Sequence, residues 1–142
     1  MTRWHARAVA ITSLALAASA AAQPAGGVRR FDGTWEATVV CSHWHGALGY
    51  SKVFPVMVSD GHLSGQYEKQ DQPNSLTLDG TIQPDGRATI NANGVTGPSK
   101  FNIAQVQQGE PYNYSITAQF ERAHGHGKRM ELRPCDVDFV RQ

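Results

Sequence analysis

Two histidine pairs are the residues whose types and spacing come nearest to a chemical signature, His43-Trp44-His45 and His124-Gly125-His126. On an extended strand, residues i and i+2 project to the same side, so each pair can offer two imidazoles to one ion, with Zn²⁺ or Cu²⁺ the metals suited to such nitrogen donors. The plainer reading treats His43 and His45 as loop residues at one end of a sheet and 123–128 as a glycine-rich hairpin tip. No Cys, Asp or Glu stands at a ligand spacing beside either pair, and His62 lies apart from both.

Trp44, Tyr50, Tyr67, Tyr112 and Tyr114 form a second candidate set, since aromatic rings join a large contact area to a polar handle and suit a flat or apolar ligand. Equally, they can be packing residues, with Phe54, Phe120 and Phe139 filling the space that small neighbours leave. Arg129, Glu131 and Arg133 alternate and could grip an acidic partner, or form a solvated, salt-bridged face. Residues 93–98 have the glycines of a phosphate loop but neither its lysine nor its helix. No Ser/His/Asp set or carboxylate pair stands out, so no catalytic residue is assigned and an enzyme is disfavoured.

The elements that must position these residues are strands. Residues 34–42 put Trp35, Ala37, Val39 and Cys41 on one face, the period of a half-buried strand. Further runs fall at 53–58, 62–68, 76–82, 88–92, 101–106, 112–121 and 128–140, with Asp60-Gly61 and Asp85-Gly86 as hairpin turns. Pro134 in the last run has no N–H for a ladder and predicts a bulge or an unpaired edge there. No helical period is visible. The class is all-β, a single eight-stranded up-and-down antiparallel meander barrel over 31–142. In such a meander the longer connections, 42–51, 69–74, 93–100 and 123–127, share one end. That end is an open mouth and the opposite end a closed base, and both histidine pairs are expected together at the mouth.

Residues 1–22 have the build of a cleaved signal peptide: Arg3 and Arg7, an apolar run over 8–18, and small residues up to Ala22. Its apolar run is shorter than the roughly 20 residues a bilayer needs. Residues 23–30 form a Pro/Gly-containing flexible lead-in. A periplasmic or secreted location is therefore expected, with no membrane insertion after cleavage. Without the leader, the 13 basic residues fall to 11 against 12 acidic, which disfavours nucleic acid as a partner. At about 120 residues the remainder fits one domain.

Cys41 and Cys135 are expected to join, since an oxidising compartment lets a disulfide persist. Closing a loop of that length stabilises by on the order of 4–5 kcal/mol in the chain-entropy model. Pairing them across an antiparallel ladder between the first and last strands sets Trp35 opposite Arg141. Gly33-Thr34-Trp35 on the first strand and an arginine on the last resemble the calycin pattern of lipocalins and their relatives. The resemblance implies a tryptophan plugging the barrel base with the arginine packed over it. It covers the two chain ends.

The chain is shorter than a lipocalin. Leu63-Ser64-Gly65-Gln66-Tyr67 after a DG turn is similar to the avidin-like meander, with no motif matching its biotin contacts. The G-x-W start and single disulfide also resemble small periplasmic metalloprotease inhibitors, whose cysteines lie closer together. Three functions follow as expectations: an exported binding module holding a small ligand or docking a partner at the mouth, a histidine-based Zn or Cu binder, or an inhibitor of a secreted protease using 23–30 as an arm.

Overall fold

The computed structural model describes residues 26–142, so the signal peptide and the start of the lead-in lie outside the described residues. Eight strands follow a short 3₁₀ turn at Gly27–Phe31: β1 Gly33–Cys41, β2 Tyr50–Ser59, β3 His62–Tyr67, β4 Leu76–Ile82, β5 Arg87–Val95, β6 Pro111–Phe120, β7 His124–Arg129 and β8 Cys135–Arg141. Each pairs antiparallel with the next, and β8 returns to β1, closing the barrel. Closure gives every strand two neighbours and leaves no sheet edge to be covered.

The β1–β8 register joins Trp35 to Arg141 and Cys41 to Cys135, and the two cysteines form a disulfide. Alternation along the strands sends Trp35, Ala37, Val39 and Cys41 inward. At the base, the buried Trp35 donates from Nε1 to the Phe31 carbonyl at 2.9 Å and meets Phe120 edge-on. The Arg141 guanidinium lies 5.5 Å from the Trp35 ring and donates to the carbonyls of Arg30, Asp32 and Arg122. The second half of the 23–30 lead-in is thereby tied into the base. Gly33 has φ +136°, and a Cβ there would meet the Arg141 guanidinium at 3.4 Å, so this glycine serves both the turn into β1 and the arginine's seat.

Two expected strands differ from those found, and their differences cancel in the count. Residues 101–106 are not a strand; two 3₁₀ turns, Ser99–Phe101 and Ile103–Gln105, lie here, with Ala104 and Gln105 at positive φ. The Asn102 side chain holds this turn by donating to the carbonyls of Gly97 and Val106. The expected strand over 128–140 is two strands, β7 and β8, separated by a loop that contains Leu132 at φ +57° and Pro134. Pro134 lacks the donor a ladder needs, so pairing stops before it and resumes at Cys135.

This shift changes which end each later turn occupies. The long connections 42–49, 68–75, 96–110 and 130–134 open at the mouth, while 60–61, 83–86 and 121–123 close the base.

Candidate functional site

The lower barrel is filled. Phe54, Ile90, Ile116, Phe120, Val137 and Phe139 are buried in one continuous core, so the small inward residues leave no tunnel through it. A cavity of about 520 Å³ opens above this core, between the upper strand ends and the 96–110 loop. A second hollow, about 860 Å³, runs along the outer surface of β4–β7 past Asp79, Asn91, Thr117 and Lys128. Its polar side chains face solvent, and none of them is a buried group lacking a partner.

Three of the expected aromatics line the mouth cavity: Tyr50, Tyr67 and Tyr112. Gly94 pairs with Tyr112 across β5–β6, and a Cβ at Gly94 would lie 2.5 Å from the tyrosine ring. The bare backbone there gives the ring its bed. Tyr114 stacks on Tyr112 with centroids 6.1 Å apart and planes 7° apart, one step deeper. Trp44 stands elsewhere, in a tight turn closed by its pairing with Ala47, its ring edge-on to His45. Burial pushes the phenol pKa values of Tyr50, Tyr112 and Tyr114 up, so all three are neutral donors at physiological pH.

The cavity also holds three cations. Lys52 is buried because it shares the inward parity of Phe54, Val56 and Val58 on β2. Its Nζ donates to the backbone and side-chain oxygens of Asn74 at 2.9 and 2.6 Å and lies 4.3 Å from the Tyr67 ring centre. Desolvation pulls its pKa down to about 8, against the opposing field of Glu68. Arg133 is 2 % exposed and donates to the carbonyls of Ser42, Leu48 and Phe101, which pins the 42–49 loop to the 96–110 loop.

Arg129, at the end of β7, is 7 % exposed. Its guanidinium carbon sits 4.2 Å from the Tyr114 ring centre, and its Nε donates to the Glu131 carbonyl. Among the described residues, its two terminal nitrogens have no hydrogen-bond or ion-pair partner. Glu110 is the one carboxylate along the cavity's lining. Arg129 and Arg133 are therefore inward groups, not members of a solvated salt-bridged face.

The four histidines are not brought together, which corrects the expectation of one rim. His43 and His45 are exposed beside the mouth, in the loop after β1. His124 and His126 begin β7 at the base, because the turn before them is a base turn. On the outer surface, His126 meets Asp138 at 2.8 Å and Asp136 at 3.7 Å, while His62 meets Asp79 at 3.1 Å. Among the described residues, no group of three or more His, Cys, Asp or Glu side chains is set to hold a metal ion.

Sequence reasoning missed Lys52 as a site residue, although its place two before Phe54 on an alternating strand was a usable signal. No family model, curated protein or solved structure matches the chain, so the site stands on its own geometry. The closed eight-stranded barrel, with Trp35 under Arg141, is consistent with a calycin-like small barrel.

Proposed function

We propose that this chain is an exported, non-enzymatic binding protein of calycin-like layout, holding a small molecule in its mouth. The carrying observation is the cavity of about 520 Å³, within the roughly 300–1,000 Å³ of small-molecule sites, with aromatic walls and a few buried polar groups. The rest of the described interior supports the same reading, because a packed core lies under the hollow mouth. The Cys41–Cys135 bond fits a periplasmic or secreted protein, since such bonds persist where the surroundings are oxidising.

Native mass spectrometry of the mature protein, purified from an exporting host, tests this reading. The expected result is an organic adduct absent from the denatured, unreduced chain and lost in a Gly94→Trp variant, whose side chain would crowd the mouth. A metal-sized mass increment abolished by His43→Ala/His45→Ala would instead favour the histidine reading and count against this one.

A further inference from the structure

We infer that the ligand is a small organic carboxylate on an apolar or aromatic body, gripped through its charged end by Arg129. This inference rests on the mouth being a binding site. The first support is the unequal satisfaction of the three buried cations. Lys52 is committed to Asn74 and the Tyr67 ring, and Arg133 to loop carbonyls. Of the three, Arg129 is the one whose terminal nitrogens have no acceptor among the described residues, and it lines the cavity.

A guanidinium presents paired N–H groups whose spacing matches the two oxygens of a carboxylate, and such bidentate, charge-assisted bonds are the strongest hydrogen bonds proteins make. Its place over the Tyr114 ring and its Nε bond to the Glu131 carbonyl hold the guanidinium in advance, so less order is lost on binding.

A second support lies beside it. The Tyr114 hydroxyl is the one buried side-chain polar atom among the described residues without a hydrogen-bond partner. Leaving a buried donor unpaired is costly, and Tyr114, one step below the lining residue Tyr112, carries that hydroxyl on the ring that Arg129 covers. Electrostatics agree: Lys52, Arg129 and Arg133 face one carboxylate, Glu110, at the cavity wall. The field is local, because the chain without its leader carries slightly more acidic than basic residues. The ligand's body is defined by Phe101, Ile103, Val106 and Leu132, which offer apolar surface in the same cavity lining.

Isothermal titration calorimetry with 2-naphthoate and its neutral analogue 2-naphthamide tests the inference on the disulfide-intact mature chain. Naphthoate is expected to bind at least 10-fold more tightly than naphthamide. Arg129→Gln should erase that preference, and Arg129→Lys should restore only part of it, since an ammonium keeps the charge but not the fork.

Equal binding of both compounds to the wild type, unchanged in Arg129→Gln, overturns the anion inference while leaving a mouth binder in place. Binding of neither compound also overturns it; the adduct experiment then decides the wider reading separately. The naphthoate-to-naphthamide ratio on the wild type decides the preference for an anion even if the variants fail to fold, and a ratio near one overturns the inference.

Discussion

The Arg129 guanidinium lies 4.2 Å from the centre of the Tyr114 ring, and among the described residues it donates only through Nε, to the Glu131 carbonyl. A buried cation is costly unless its surroundings compensate it. Here an aromatic face and one carbonyl hold the group in place, and the residue lines the cavity. This arrangement is what distinguishes the mouth from a sealed barrel end.

Arg133 has the opposite role, because its donors are spent on loop carbonyls. Arg133→Leu should release the 42–49 and 96–110 loops from each other and leave several buried acceptors unpaired, at about 1–3 kcal/mol. Hydrogen exchange at the Leu48 amide, which bonds the Lys100 carbonyl across the two loops, reads this directly. Faster exchange there with base amides unchanged is expected; unchanged Leu48 protection would show that the clamp is not needed.

Lys52 makes stability depend on pH. Its folded pKa of about 8 lies below the ordinary 10.5, so between those values the unfolded chain holds the extra proton. Stability should then rise with pH across that window, by at most about 1.4 kcal/mol per unit. The buried tyrosines oppose this from about pH 10 upward, where unfolded phenols begin to ionise. Glu68, Tyr50 and Tyr67 are the neighbours that face the ammonium. Urea midpoints at pH 7.5 and 9.5 should separate in the wild type and converge in Lys52→Met; parallel shifts in both would remove Lys52 as the cause. Carboxylate affinity should weaken over the same range as the site loses a cation.

Gly94→Ala tests how the mouth is shaped. The added methyl would meet the Tyr112 ring, forcing it off its bed and into the cavity. Ligand affinity is expected to fall at least 10-fold with a stability loss of about 1–3 kcal/mol from the displaced packing. Affinity equal to the wild type would mean that Tyr112 does not wall the site.

The disulfide closes a loop of 94 residues between the first and last strands. Cys41→Ser/Cys135→Ser should cost about 2–5 kcal/mol by denaturant unfolding. A loss under about 1 kcal/mol would mean that the ladder between β1 and β8 already confines the chain ends.

What the sequence revealed depended on which signal each strand used. β1 to β5 alternate apolar residues between recognisable turns, and the shared register of Trp35–Arg141 and Cys41–Cys135 could be counted from the chain ends. β7 carries no such signal, because its inward positions include Gly125 and Gly127, where a Cβ would strike Phe120 and Ile116. Glycine facing inward leaves no hydrophobic mark. Residues 101–106 mislead in the other direction, since Phe101 and Ile103 are spaced like residues on one face of a strand but, with Val106, wall the mouth.

The site was half visible for the same reason. The tyrosines stand out as aromatics, whereas Arg129 and Arg133 read equally as a grip for an acidic partner or a solvated face, and Lys52 gives no signal beyond its parity with Phe54; all three are buried in the barrel. The histidine rim failed with the strand boundaries, because exchanging one strand for another moved His124 and His126 from mouth to base.

The most direct test is amide chemical-shift mapping of the mature protein during a 2-naphthoate titration. The expected result is saturable shifts at Tyr50, Lys52, Tyr67, Tyr112 and Arg129, with Phe31, Trp35 and Arg141 at the base unmoved. Shifts confined to Asp79, Asn91 and Thr117 on the outer surface, or no saturable shifts, would contradict a carboxylate site in the mouth.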